Sequence, residues 1–488
     1  MRILINILTF SFVFGVLYSK SLNAQLLISD PISVTDGDIS FGRMSPKLAL
    51  NENGELLVFW MRTANKAFFI STLIDGEFST PTQIPFGGLN PNMWNGSLGP
   101  NMAAHGDHVY VTFEVYGDAI YVTHSSDGGT TWDLPVSAFV PPTGRRATIP
   151  TIAVDTEGQP YIAYVNTNAS EQDAYYGMVK SENFGQNFLS EVNASENTAG
   201  TEVCECCNGH ISVDSEGNVY IAFRNNNNNL RDNWLVKSTD GGASFESAFD
   251  VDETDWMISA CPTNGPNFAI MDDLVITTFY SGAGSSGAGV YFSAFTPSTS
   301  LVGPTTELPL TDNTFSNQNR PKVHGSGSTY ALVWQEFTDN SWDIAMSVST
   351  TGPEGLTEDP FLLTSLPSSQ QFASIIYDGE FFHTVYEDNA SNTLLYQNVG
   401  FGNVNVKEDN DLSFSIQPNP ATNVVQLTRK TNKLASILII DIYGRTLFSD
   451  STLDKKTNLD VSNLITGFYT IVVIEGNEFS QMRLSVIK

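Results

Sequence analysis

The chain has 488 residues, 41% hydrophobic, 11% aromatic and only 16% charged, which suits a large folded core plus a second domain and excludes a disordered chain. Asp and Glu number 53 against 23 Lys and Arg, a formal net charge of −30, which argues against nucleic acid and anionic membrane surfaces as partners. That charge suits solubility in a salty medium; if the ligand is itself acidic, its site must be a local basic island.

In chain order, Met1-Arg2, the apolar run Ile3 to Tyr18 and Leu22-Asn23-Ala24 read as the basic, hydrophobic and cleavage regions of a secretory signal. Residues 1–24 are therefore expected to be removed before folding. As a membrane anchor the run would be short and poorly flanked, and no other run is long enough to span a bilayer, so membrane insertion is not expected.

From residue 25 to 402 the chain reads as repeats, each a strand beginning near Pro, a turn, a β-rich second strand, and two further strands. The second strands are predicted at Leu56–Met61, Val109–Glu114, Tyr161–Val165, Val219–Arg224, Val275–Tyr280, Ala331–Gln335 and Phe382–Glu387. Residues Leu26–Thr35 are expected to supply the strand that closes the ring. The count is seven units; six with an extra hairpin is the alternative.

A turn motif sets the period. Ser125-Ser-Asp-Gly-Gly-Thr-Thr-Trp132 recurs as Ser238-Thr-Asp-Gly-Gly-Ala-Ser-Phe245 and, degraded, as Ser181-Glu-Asn-Phe-Gly-Gln-Asn-Phe188, about 56 residues apart each time. Asp accepts the turn amides, Gly supplies positive φ, and the ring packs beneath. The motif resembles the Asp box of sialidase-type β-propellers, which implies an all-β chain with a seven-bladed β-propeller over 25–402. In such a propeller, first-strand starts and second-strand ends open on one face around the central channel, and the Asp-box turns lie on the other. His105, His108 and His124 then belong to the face away from the chemistry, and His324 and His383 are expected to be packed within strands.

The densest constellation is Cys204-Glu-Cys-Cys-Asn-Gly-His210, with Cys261 in the matching slot of the next repeat. Cys204, Cys206, Cys207 and Cys261 together with His210 would suit a tetrahedral zinc. One or two disulfides are the alternative in an exported chain. Either use is structural, because a closed sulfur-rich site leaves no position for substrate.

The channel face carries a second set. Second-strand ends place Glu114, Arg224, Tyr280, Gln335 and Glu387 around the mouth, and first-strand starts add Lys47, Asn101, His210, Asn267 and Lys322. Loops contribute Arg43, Arg145, Arg146, Arg231 and Arg320. This is the basic island that an acidic ligand requires, although any single arginine could instead pair with Glu114 or Glu387. Arg224, Tyr280 and His210 are the catalytic candidates. Asn101, Arg145, Arg146, Arg231, Asn267, Arg320 and Lys322 are the candidates for binding an anionic polysaccharide.

After an expected linker at 403–412, residues 413–488 combine Ser415-Ile-Gln-Pro-Asn-Pro420, Ile439-Ile-Asp-Ile-Tyr-Gly-Arg445, Leu464-Ile-Thr-Gly-Phe-Tyr-Thr470 and a short basic end. The alternation suggests a small β-sandwich. The combination resembles the C-terminal sorting domain of the type IX secretion system, which implies the secretion machinery as a partner and a secreted or cell-surface protein.

Seven blades and type IX export together are similar to the propeller ulvan lyases, which implies β-elimination on a uronate-containing polysaccharide. Such a lyase needs a cation or amide at the carboxylate, a base and an acid; Arg224 and Asn267 would serve the first need, Tyr280 or His210 the others. An exo-glycosidase, either sialidase-like or removing rhamnose from glucuronate, is a second reading, with Arg224, Arg320, Tyr280 and Glu387 fitted to sialidase roles. The Phe-Arg-Ile-Pro signature of sialidases is absent, with Asn319-Arg-Pro321 among the nearest forms. A non-catalytic glycan-binding propeller is the third.

Overall fold

The computed structural model describes residues 26–35, 45–63, 65–93, 98–200, 202–284, 288–311, 317–401, 414–440, 446–475 and 478–488. The expected signal at 1–24, Arg43, the linker and the Tyr443-Gly-Arg445 motif lie outside them. Among the described residues the elements are strands and one 3-10 turn, Pro353–Thr357, with no α-helix. Two compact units separate at residues 28 and 400.

The larger unit is a succession of antiparallel sheets of four or five strands, built from consecutive strands except that the last sheet also takes strands from the start of the chain. Their first strands are Lys47–Leu50, Asn101–His105, Arg145–Val154, His210–Val213, Asn267–Met271, Gln318–Ser326 and Gln370–Tyr377. Each touches the first strand of the next sheet, and Gln370–Tyr377 touches Lys47–Leu50, so these strands form a closed ring. Ile32–Ser33 pairs with Leu395 and Tyr396, adding an outer strand to the last sheet.

The second strands are apolar on both faces because each sheet packs between two others. Leu56 to Met61 is buried at every position. Distinct apolar clusters fill the seams: Leu57, Phe59 and Phe68 meet Val111 and Phe113 between the first two sheets, and Tyr176 meets Phe223 between the third and fourth. Each fully buried side chain of this size contributes roughly 1.5–3 kcal/mol.

The Ser-x-Asp turns share one hydrogen-bond pattern. Ser125 Oγ accepts the Gly129 amide at 2.9 Å and Asp127 accepts the Thr131 amide at 2.8 Å; Ser238 and Asp240 do the same for Gly242 and Ser244. In the degraded copy Asn183 takes the carboxylate's place and accepts the Asn187 amide at 2.9 Å. Phe184 there occupies the left-handed conformation, φ 56, that Gly128 and Gly241 supply in the others.

A second device joins neighbouring sheets at the channel end. Ser45, Ile149 and Phe372 all have left-handed φ near the start of a first strand. Each amide is accepted by a side chain from the end of the preceding sheet's second strand: Ser45 by Glu387 at 2.8 Å, Ile149 by Glu114 at 3.3 Å, and Phe372 by Gln335 at 2.9 Å. Glu114, Gln335 and Glu387 are 3%, 1% and 5% exposed. They fasten sheet to sheet, a correction to their expected place around an open mouth.

The smaller unit contains a three-stranded sheet, Phe414–Gln417, Val424–Arg429 and Lys456–Asp460, and a four-stranded sheet that ends in Gly467–Glu475 and Glu478–Val486. Both feed one apolar core, in which Val425, Leu427 and Leu459 meet Ile437, Ile471 and Leu484.

Candidate functional site

First strands of a closed ring alternate side chains between the neighbouring strands and the axis, and the axis holds a cavity of about 390 Å³. This lies within the span of small-molecule sites, about 300–1,000 Å³. Its polar lining includes Lys47, Asn101, His210, Arg320, Lys322 and His324, contributed by the first, second, fourth and sixth sheets. No Asp or Glu is among its described lining residues.

The basic groups act on one another. Burial in the channel wall, and then the charge of Lys322, lower Lys47 to about 7, and Glu387 offsets this only in part. Lys322 is lowered to about 8 by burial and by Arg320. Burial, Lys322 and His324 bring His210 down to about 3, and burial brings His324 to about 4. At neutral pH both imidazoles are therefore uncharged, while Lys47 is divided between ammonium and amine.

Local contacts fix the orientation of these side chains. His324 Nδ1 accepts the Tyr377 amide at 3.1 Å, leaving the ring proton on Nε2. His210 packs against the edge of Phe268, with centroids 4.9 Å apart. The Arg320 guanidinium lies over the Phe372 ring at 4.7 Å. Lys47 Nζ donates to Ser45 Oγ at 3.0 Å.

The three catalytic candidates do not converge. His210 lines the channel, whereas Arg224 and Tyr280 do not. Arg224 is 0% exposed, and its guanidinium donates to backbone carbonyls: Arg231 at 2.5 Å, Tyr280 at 2.5 Å and Asn264 at 3.3 Å. It sits where Glu114 and Gln335 sit in other sheets and fastens its sheet to the next with donor and acceptor reversed. A guanidinium engaged in this way has no face for a substrate carboxylate, which corrects its expected role. The Tyr280 ring packs edge-on against Trp256, and burial raises its hydroxyl pKa.

The binding candidates divide as well. Asn101, Asn267, Arg320 and Lys322 line the cavity. Asn101 Nδ2 donates to Thr151 at 3.3 Å, and Asn267 Oδ1 accepts the Val323 amide at 2.9 Å, so both also brace the wall. Arg145 pairs with Asp173 at 2.7 Å over the Tyr175 ring, and Arg146 with Glu171 at 3.5 Å over Tyr116; neither lines the cavity. Arg231 is 5% exposed beside Glu205.

His324 was expected to be packed, yet it lines the channel. The signal was available: Lys322 and His324 are two apart on one strand and so share a face. His383 matches its expectation, held between Tyr396 at 2.7 Å and Asp378 at 2.8 Å. His108 and His124 bond to each other at 2.9 Å outside the channel lining.

Four sulfurs, of Cys204, Cys206, Cys207 and Cys261, lie within 4.8 Å of one another. His210 is not part of this group, because the strand beginning there turns it into the channel. Cys206 and Cys261 are joined as a disulfide, and Cys204 and Cys207 are buried free thiols.

A family described as the secretion system C-terminal sorting domain matches residues 415–488. The chain is therefore a secreted or cell-surface protein that engages the type IX machinery, and no helix among the described residues is long and apolar enough to cross a membrane. No curated protein matches the chain. Among solved structures it is similar to a polysaccharide lyase of family PL25, an ulvan lyase bound to a GlcA-Rha3S chain, at 12% identity over 81% of this chain and 94% of that one, TM-score 0.43. The polysaccharide lyase Uly1 is similar at 11% identity over 74% and 91%, TM-score 0.46. The intramolecular trans-sialidase of Ruminococcus gnavus is similar at 11% over 65% and 96%, TM-score 0.43.

Proposed function

We propose that residues 28–400 form a seven-bladed β-propeller whose channel binds and cleaves an acidic, uronate-containing polysaccharide of the ulvan type by β-elimination. The single observation carrying this reading is the gathering of Lys47, His210, Arg320, Lys322 and His324 on one cavity in a chain of net charge −30. A basic cavity in a negative field is selective for anions that are large and specific enough to displace the long-range repulsion.

The lining favours elimination over hydrolysis. Glycoside hydrolysis generally needs a pair of carboxyl groups flanking the scissile bond, and the described lining offers none. Elimination needs a cation at the uronate carboxylate, a base and an acid. Arg320 is the carboxylate partner, held over Phe372. Lys47, lowered to about 7, takes the proton from the carbon next to the carboxylate as the neutral amine. The electron pair of that bond forms the ring double bond as the glycosidic carbon–oxygen bond breaks. Lys322, lowered to about 8, donates the proton that the leaving oxygen needs. His210 and His324, both neutral, hydrogen-bond the sugar hydroxyls.

Incubating the purified protein with ulvan and following the ultraviolet absorbance of an unsaturated uronate tests the reading. New absorbance with a shorter, unsaturated oligosaccharide supports it. Release of a saturated monosaccharide would move the assignment to an exo-glycosidase, and retention without turnover to a binding propeller.

A further inference from the structure

We propose that Cys204, Cys206, Cys207 and Cys261 bind one zinc ion as a closed tetrathiolate that ties the fourth sheet to the fifth and fixes the channel wall carrying Asn208 and His210. The four sulfurs already lie within 4.8 Å of one another. Zinc is bound by the four thiols of the newly made, reduced chain in place of the Cys206–Cys261 bond, so no disulfide has to be reduced. Zinc–sulfur distances of about 2.3 Å then set tetrahedral sulfur–sulfur edges of about 3.8 Å, for which the Cys206 and Cys261 sulfurs stand apart rather than bonded.

Charge separates this use of the sulfurs from disulfides. Arg224 and Arg231 are 0% and 5% exposed, and both act on the thiols of Cys204 and Cys207. The hydrogen bonds of Arg224 go to carbonyl oxygens, which carry no net charge. Arg231 Nε and Nη1 make no hydrogen bond, and the carboxylate of Glu205 stands 3.5 Å from Nη1. Glu205 compensates Arg231, whereas the buried Arg224 guanidinium has only neutral carbonyls as hydrogen-bond partners, which is costly in a low-dielectric setting when the neighbouring sulfurs are neutral. Zinc with four thiolates carries a net charge of minus two and supplies the anionic neighbour that Arg224 lacks. The Asn264 amide directed at Cys207 completes the surroundings expected of a metal-bound thiolate.

The site also has an anchoring role. Cys204 N donates to Arg224 O at 2.9 Å, and the Cys207 amide closes a turn on Cys204 O. The next residue, Asn208, accepts the Gly265 amide at 3.1 Å, and a Cβ on Gly265 would fall 1.6 Å from Asn208 O. Backbones in such contact need a firm clamp, and the four sulfurs lie directly beside them. Cys261 is exposed and gives the metal an entry path.

Metal analysis of the full chain purified without reductant, with thiol titration after unfolding in chelator, tests the proposal. One equivalent of zinc and four free thiols are expected. No metal with two thiols, or with none, would overturn it. Cobalt as the probe ion should give intense thiolate-to-metal charge-transfer absorption, weakened by about a quarter in Cys261→Ser, which leaves three thiolates, and kept in His210→Ala. Equal loss in His210→Ala would place the imidazole in the shell and contradict the four-sulfur site. If Cys261→Ser does not fold, the metal-to-thiol ratio of the native chain decides alone.

Discussion

Glu387 Oε1 accepts the backbone amide of Ser45 at 2.8 Å, joining the last sheet of the larger unit to its first. The amide belongs to a residue in the left-handed region, φ 46, two positions before Lys47. The ring closure and the placement of a channel lysine thus share one hydrogen bond.

Replacing Glu387 with Ala should leave a buried N–H unsatisfied and cost about 1–3 kcal/mol, with Glu387→Gln retaining most of the stability. Urea unfolding of the two variants checks this. Because the Glu387 carboxylate raises the Lys47 pKa, both variants should also lower it further.

Arg224→Ala should fail as a folding variant rather than as a binding variant. Three carbonyls, of Arg231, Asn264 and Tyr280, lose their donor, and the expected loss is about 3 kcal/mol or more. Soluble yield and unfolding temperature measure it. A well-folded Arg224→Ala protein that no longer binds acidic polysaccharide would restore Arg224 to the site.

The architecture was legible because repeated sheets of this kind announce themselves twice. The seven second-strand segments read from hydrophobic runs all fall inside observed strands, from Leu56–Arg62 to Phe381–Asp388. The Ser-x-Asp turns carry their own hydrogen-bond logic in eight residues. The site was legible only in part. First-strand residues such as Lys47, His210 and Lys322 could be placed on the channel because their position in the repeat fixes their direction. Second-strand ends could not, since Glu114, Arg224 and Glu387 occupy equivalent positions but turn sideways into the next sheet. Sequence gives the position of such a residue, whereas the direction of its side chain depends on backbone carbonyls or amides 35, 40 and 342 residues away.

Activity should follow a narrow bell-shaped pH profile. The base requires Lys47 as the neutral amine, so the rate rises as pH passes about 7; the acid requires Lys322 as the ammonium, so it falls as pH passes about 8. A pH series of kcat/KM checks this, and Lys322→Arg should extend the alkaline limb while lowering the rate, because a guanidinium keeps its proton.

The channel lysines should cost stability. Lys47 holds its proton only to about 7 in the folded state, against the ordinary lysine value of 10.5. The unfolded chain therefore binds more protons between those values, and stability rises with pH across that window. Lys47→Met should accordingly raise the unfolding temperature, most below pH about 7 and progressively less above it, as calorimetry at several pH values would show.

The initial rate at which Lys47→Met generates unsaturated-uronate absorbance from ulvan, relative to the unsubstituted protein, tests the central claim most directly. Loss of a general base predicts a fall of about 10²–10⁴-fold, with retention on an ulvan column preserved through Arg320 and Lys322. An unchanged rate would contradict the claim that the channel is where the chemistry occurs.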